Sequence, residues 1–232
     1  MRLTSSYLED FLSLFFPELC ASCGKNLFKN EVVICTNCLY NLPCTNFHLD
    51  RENQAARQLY GRIVFENAAS FLYFKKGSKV QNLLHQLKYN HRPEVGVKLG
   101  ELYGRELKKH ELYAEADMII PVPLHPAKIR RRGYNQSECF AAGLSAVLNI
   151  PVNNSILSRS VSTVSQTKKS RFERYENMKG AFSIRNSELL KEKHVLLVDD
   201  VLTTGSTLEG CAACLETGMP KKISILTLAF AG

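Results

Sequence analysis

Asp199 and Asp200 stand side by side at the end of the apolar run Val195-Leu196-Leu197-Val198, and Val201-Leu202-Thr203-Thr204-Gly205-Ser206-Thr207 follows at once. Two adjacent carboxylates can accept hydrogen bonds from sugar hydroxyls. The small loop residues Thr203, Thr204, Gly205, Ser206 and Thr207 can wrap N–H groups and hydroxyls around a phosphate. Leu208, Cys211 and Leu215 recur at helical spacing behind that loop, so the positive end of a helix dipole faces the same anion. The order is strand, acid pair, phosphate loop, helix, which is how open α/β sheets hold ligands at the C-terminal ends of their strands. The GK[ST] ending of a P-loop is missing, which excludes that class of nucleotide site.

A second constellation is built from thiols. Cys20-Ala-Ser-Cys23 and Cys35-Thr-Asn-Cys38 form two CxxC pairs with eleven residues between them. Each pair can offer two sulfurs at about 2.3 Å to one ion, and tetrahedral zinc takes four such ligands. The intervening stretch has the length of one short hairpin, with Asn30 at its turn and residues 32–34 as a strand. Four thiolates leave no open coordination position, so zinc on Cys20, Cys23, Cys35 and Cys38 is expected to be a structural staple. Cys44 reads as a buried apolar side chain, and Cys139, Cys211 and Cys214 as small core residues of helices. Eight cysteines used in this way suit the reducing cytoplasm rather than a disulfide-forming compartment.

These groups need elements to position them. With 232 residues, 45% of them hydrophobic, the chain can bury one sizeable core and a small appendage. We expect residues 1–50 to be a zinc ribbon with a leading amphipathic helix (Leu8, Phe11, Leu12, Phe15), and residues 51–232 to be the ligand-binding domain. The apolar run at 11–16 is bounded by Glu9, Asp10, Pro17 and Glu18, too short to span a bilayer and without a signal peptide's flanks. Residues 51–62 read as a polar connector and 63–74 as a hairpin or two strands. Helices are expected over 81–89 and 95–107, the second opened by Pro93. Met118-Ile119-Ile120 reads as a short buried strand cut off by Pro121-Val122-Pro123. A helix should run from Gly133 to about Leu148, with a strand near 154–157. Residues 158–179 show no apolar periodicity, and Lys168, Lys169, Arg171 and Arg174 would make that stretch a lid closing over anionic groups.

The formal charge is +8, lowered to +6 by four thiolates holding one zinc dication. The molecule should attract polyanions, and charge alone favours neither nucleic acid nor a multiply charged sugar phosphate. The ribbon carries only Lys25 and Lys29 as cations and Phe28 as its one aromatic between its cysteines, a poor surface for single strands by itself.

The stretch from Val195 through Thr207 resembles the signature of type I phosphoribosyltransferases. That resemblance gives Asp199 and Asp200 the ribose hydroxyls and Thr203, Thr204, Gly205, Ser206 and Thr207 the 5-phosphate of 5-phosphoribosyl 1-pyrophosphate (PRPP). The CxxC pairs, Leu87-Lys88-Tyr89, Ile120-Pro121-Val122-Pro123-Leu124-His125, Arg132-Gly133-Tyr134-Asn135-Gln136 and the polar stretch from Ser165 to Phe182 together resemble the ComF family of competence-associated proteins. The resemblance implies an α/β type I phosphoribosyltransferase fold with an N-terminal zinc ribbon. It implies pyrophosphate contacts from Val122 to His125 with Lys128 and Arg132, and lid contacts from Gln166, Lys169, Arg171 and Arg174. The implied reaction is transfer of the phosphoribosyl group from the magnesium complex of PRPP with loss of pyrophosphate. A non-catalytic sugar-phosphate sensor and a single-stranded DNA adaptor of the DNA-uptake machinery stay open beside it. The acceptor and the oligomeric state are not legible in the sequence.

Overall fold

The computed structural model describes residues 17–159 and 181–232. The expected helix carrying Leu8, Phe11, Leu12 and Phe15 and the lid residues Gln166, Lys168, Lys169, Arg171 and Arg174 lie outside the described residues. Among those described, no helix is long and apolar enough to cross a membrane.

The body is a parallel sheet flanked by helices. Strands β1 (Asn67–Tyr73), β2 (Met118–Pro121), β5 (His194–Leu202) and β6 (Lys222–Phe230) run in the spatial order β1-β6-β5-β2. Burial of both faces explains why β5 and β6 read as continuous apolar runs instead of alternating ones. Helices α3 (Lys79–Tyr89), α4 (Pro93–Leu107) and the short α5 (Glu111–Ala114) connect β1 to β2, and α6 (Pro126–Arg132) and α7 (Gln136–Leu148) follow β2. Helix α8 (Ser206–Glu216) carries β5 back to β6. Right-handed crossovers put connections that travel in opposite directions along a sheet on opposite faces. The link from β1 to β2 and the link from β5 to β6 travel oppositely, so α4 and α8 cover different faces.

Helix α7 shares the α4 layer, and the two pack at backbone range. A methyl group on Gly143 would overlap the Val97 carbonyl oxygen, and one on Gly100 would overlap that of Phe140. Tyr103 of α4 sits between Phe71 of β1 and Phe140 of α7, its ring nearly parallel to both, with centroids 4.8 and 6.4 Å away. The outer edge of β1 is not left open. Residues 43–45 lie antiparallel along it, with Thr45 N–H donating to Phe71 O (2.9 Å) and Tyr73 N–H to Pro43 O (2.9 Å).

Several expectations need correction. Residues 51–62 are not a mere connector: the Asn53 side chain caps α2 (Gln54–Leu59), whose Ala55, Ala56 and Leu59 are buried. Residues 63–74 hold one strand, β1, whose parallel partner β6 lies at the far end of the sequence, so no hairpin forms. Residues 32–34 form no strand; the Ile34 N–H closes a tight turn onto Val32 O (2.7 Å) about Val33 at φ 67°. The strand expected at 154–157 is β3 (Leu157–Arg159), paired antiparallel with β4 (Phe182–Ile184). The chain does turn after Pro123, but into α6, a helix not foreseen. Pro121 still belongs to β2, since a parallel edge position tolerates its missing N–H. Cys44 is exposed; its backbone, not its side chain, is what pairs with β1.

The α4–α7 contact gives a stability test. Gly143→Ala forces a methyl group against helix backbone that cannot rotate away, and is expected to destabilise the chain by about 1–3 kcal/mol, read as a lower urea midpoint at unchanged slope. An unchanged midpoint would mean that the two helices separate at little cost.

Candidate functional site

At the C-terminal end of the sheet, β2 and β5 are still joined by Val122 N–H donating to Val198 O (2.8 Å). Beyond that bond the chain leaves β5 through α8 toward β6, and leaves β2 through α7 toward Val152, which bridges the other side of Ile119. Departures in opposite directions open a crevice at this topological switch point. A polar cleft of about 240 Å³ occupies it, lined by Asp199 and Asp200, the Val122–Leu124 segment, Thr203 and Thr207. Lys88, Lys128, Arg132 and Arg159 also reach it.

The two carboxylates are held differently. Asp199 Oδ1 accepts from the Ser137 hydroxyl (2.9 Å) and the Asp200 N–H (2.8 Å). Burial, with the Asp200 charge second, pushes its carboxyl up to about 7 despite those donors. Asp200 instead pairs with Lys88 Nζ at 2.8 Å. Among the described residues no carboxylate pairs with Lys128, Arg132 or Arg159. The Arg132 guanidinium bonds Gln136 Oε1 (2.7 Å) and lies 5.3 Å from the Tyr89 ring centre; Arg159 stands 5.3 Å over Phe182. Three cations thus face the cleft with no matched acid, which suits a ligand bearing several negative charges.

The loop at 203–207 is braced from outside. Gly205 takes the left-handed conformation (φ 77°) at the N-cap of α8, where an added methyl would strike Leu59 of α2. Arg62 donates to Thr204 O (2.6 Å) and pairs with Glu209 in the first turn of α8 (2.6 Å), while the Gln58 side chain bonds Thr203 O. With these carbonyls held from the α2 side, the first-turn N–H groups of α8, which have no intrahelical acceptor, are free for an anion.

The segment before and into α7 ties the walls together. Asn135 Oδ1 caps the helix at Ser137 N–H (3.1 Å), and its Nδ2 donates to Val122 O (2.9 Å). Gln136 holds Arg132, and Ser137 holds Asp199. These three consecutive side chains are buried, at 3%, 1% and 3% exposure, although all are polar, because each is spent on a different wall of one cleft.

The four cysteines also converge. Ligand atoms of Cys20, Cys23, Cys35 and Cys38 all lie within 4.8 Å of one another, with Cys23 Sγ and Cys35 Sγ 3.8 Å apart. Sulfurs about 2.3 Å from a tetrahedral ion stand about 3.8 Å from each other, so the donor set and spacing fit zinc. Gly24 (φ 73°) turns the first CxxC, and the tight turn at Val33 delivers Cys35 to the N-cap of helix α1 (Thr36–Tyr40), which holds Cys38. Burial raises the Cys35 and Cys38 thiols, Cys38 to about 12, whereas at Cys20 the backbone N–H groups of Cys35, Cys23 and Ser22 outweigh burial and bring the group down to about 7; a bound metal would have to displace the remaining thiol protons.

Of the residues singled out in the sequence, Asp199, Asp200, Val122, Arg132, Thr203 and Thr207 meet in one cleft. Thr204, Gly205 and Ser206 complete the turn between the last two, the Thr204 and Ser206 hydroxyls 3.2 Å apart. Arg171 and Arg174 lie outside the described residues. Sequence reasoning gave no role to Lys88, Ser137 or Arg159. Lys88 and Ser137 belong to the Leu87-Lys88-Tyr89 and Asn135-Gln136 neighbourhoods, whose polar side chains on otherwise apolar helices were the available signal; Arg159 offered none.

A phosphoribosyl transferase domain model matches residues 135–232, which hold α7, the acid pair and the phosphate loop. The fold and its sheet-end cleft therefore define a protein with a phosphoribosyltransferase-type domain and an N-terminal four-cysteine ribbon. Competence protein F of Haemophilus influenzae is 30% identical over 224 residues, covering 93% of this chain and 98% of that protein. DNA utilization protein YhgH of Escherichia coli K12 is 28% identical over 85% of this chain and 83% of its own length. Glutamine PRPP amidotransferase of B. subtilis aligns with 62% of this chain and 30% of its own at 20% identity, with a TM-score of 0.42. The chain belongs to the ComF family.

Two outcomes follow. The ribbon is expected to hold one zinc per chain, released by a thiol-modifying reagent together with a lower melting temperature; identical melting of metal-free protein would rule out a structural ion. The acid Asp199 has its folded-state value raised above the unfolded 3.8, so the folded state binds more protons between about pH 4 and pH 7 and stability falls as pH rises through that window. Asp199→Asn should therefore stabilise the chain by about 1–4 kcal/mol at pH 8 and not at pH 3.5, checked by thermal melts at both pH values.

Proposed function

We propose that the cleft binds PRPP as its magnesium complex and that the chain is a phosphoribosyltransferase in which the phosphoribosyl group passes to a nucleophile with loss of pyrophosphate. One observation carries the reading: the acid pair, the 203–207 loop, the Val122 segment and three cations with no ion-pair partner among the described residues share one cleft at the switch point of the sheet. In it Asp199 and Asp200 accept the ribose 2′- and 3′-hydroxyls, while residues 203–207 and the N-terminus of α8 take the 5-phosphate. Val122, Lys128 and Arg132 receive the pyrophosphate, with Arg171 and Arg174 closing over it from the lid. Magnesium, arriving with the ligand's oxygens, supplies charge neutralisation for the departing pyrophosphate. What the chain itself contributes is orientation and electrostatics. Cleavage of the C1–O bond builds positive charge on the ribose and negative charge on the pyrophosphate; the carboxylates can stabilise the first and the cations the second. Asp199, with its value near 7, can accept a hydroxyl proton's hydrogen bond as the anion once Lys88, Ser137 and a bound cation favour that form. The setting for this chemistry is the cytoplasm, where thiols such as the eight free cysteines stay reduced.

A second reading rests on Arg130 and Arg131, both exposed on α6 beside the cleft cations Lys128 and Arg132. A basic helix of this kind can track the phosphates of single-stranded DNA, and the Escherichia coli relative is named a DNA utilization protein. The two readings differ in what they require of the acid pair.

Calorimetric titration of magnesium-PRPP into the zinc-loaded chain should give saturable binding that is lost in an Asp199→Asn, Asp200→Asn double variant. Absence of binding to the folded wild type would sink the reading. DNA binding that survives the double variant and falls steeply with salt would favour the adaptor.

A further inference from the structure

Lys88 enters the cleft from a part of the chain that the matched domain model does not reach. It sits near the C-terminal end of α3, one residue after Leu87, whose side chain, with Val80, Leu83 and Leu84, buries the helix in the core. That burial fixes the helix phase, so Lys88 must project along the cleft edge. The Tyr134 hydroxyl donates to Leu87 O at 2.5 Å, fastening the end of α3 to the segment that leads into α7. Lys88 and Asp200 are only 22% and 18% exposed, so their 2.8 Å contact is partly shielded from solvent. An ammonium group has three donors, and among the described residues Asp200 is the acceptor assigned to it. The remaining donors face a cleft whose ligand, on the reading above, carries several phosphoryl oxygens.

The other side of α3 rests on the ribbon. Asn82, on α3, donates from its side-chain amide to Ser22 O (3.0 Å), and Ser22 lies inside the first CxxC, between two of the clustered cysteines. Arg92, at the junction of α3 and α4, donates to Leu19 O (3.0 Å), directly before Cys20. Both contacts go to backbone carbonyls of the loop that the cysteine cluster shapes. Zinc coordination, which fits that cluster, would hold those carbonyls in place, and through them the helix that carries Lys88.

We infer that Lys88 is a ligand-binding residue that bridges Asp200 and an anionic group of the bound sugar phosphate, and that the four-cysteine ribbon acts as its positioning element through Asn82 and Arg92. The inference rests on the proposed function of the cleft. It gives the N-terminal segment a part in ligand binding that a detached metal staple would not have.

The test is magnesium-PRPP affinity by calorimetry in full-length, zinc-loaded protein, with zinc content and melting temperature measured for every variant. Lys88→Met should weaken binding by about tenfold to a hundredfold, the range expected for losing a hydrogen bond to a charged group. Asn82→Ala should weaken it by roughly threefold or more in the wild-type background and by nothing further in the Lys88→Met background. Arg92→Gln, which touches the ribbon by a separate bond, should behave in the same way and serves if Asn82→Ala loses zinc. Binding by wild type with Lys88→Met unaffected overturns the inference and leaves the cleft's function standing. Equal losses from the ribbon-facing variants with and without Lys88 overturn the positioning role, since a general loosening of the fold acts in both backgrounds. No binding by wild type removes the proposed function and this inference together.

Discussion

Everything at the ligand end of this chain depends on where two neighbouring strands part. Val122 and Val198 share the backbone bond that closes the β2–β5 pair, and one residue later the carboxylates begin. Right-handed crossovers then force α7 and α8 to opposite faces, so no connection can cover the gap between the strand ends. A crevice is thus a consequence of topology before any side chain is chosen. The side chains decide what it attracts: two acids, the hydroxyls of Thr203 and Thr207, and the cations Lys88, Lys128, Arg132 and Arg159 all line it.

That arrangement opposes stability. Two carboxylates on consecutive residues repel, and burial raises the cost for Asp199 further. Lys88 relieves Asp200, and Ser137 partly relieves Asp199, but Lys128, Arg132 and Arg159 crowd like charges and among the described residues none of the three has an ion-pair partner. A chain selected only to fold would have replaced these groups with apolar ones of similar size. The surrounding structure is correspondingly firm. Helices α4 and α7 touch at glycine backbones, Tyr103 stacks between Phe71 and Phe140, and Arg62 with Glu209 clamps the phosphate loop from its outer side. Strain placed at a functional cleft persists only where the neighbouring packing leaves it no alternative geometry.

The same distinction separates what could be read in the sequence from what could not. That the acid pair and the 203–207 loop would share one place, and that the CxxC cysteines would cluster, was legible because their determinants are contiguous and the backbone itself sets their spacing. Helices α3, α4 and α7 were legible through period and caps, down to Pro93 at the first position of α4. Strand β1 was found but misjudged as part of a hairpin, because apolar content shows burial and says nothing about whether the partner is ten residues away or, as with β6, at the other end of the chain. Helix α2 escaped because only one turn and a half is present, and its Asn53 cap looked like another polar residue in a polar stretch. Cys44 was misassigned because a thiol is compatible with either side of a surface. Lys88 and Arg159 could not be assigned to the cleft, since their partners, Asp200 and Phe182, become neighbours only after folding.

The ribbon is where these lines of argument meet. Among its described residues the only apolar side chains the segment buries besides cysteines are Ala21, Val33, Ile34 and Phe47, a small core whose shape gains from coordination and from docking. Both are available here, and they act on the same backbone. The loop from Leu19 to Cys23 carries the first two of the clustered cysteines, and its Leu19 and Ser22 carbonyls accept hydrogen bonds from Arg92 and Asn82. Residues 43–45, a few positions after Cys38 of the cluster, extend the sheet edge beside β1. A freely tethered module would need neither feature. An N-terminal segment so joined to the sheet and to α3 is part of the architecture that sets the cleft, and its chemistry is best understood by what it holds still.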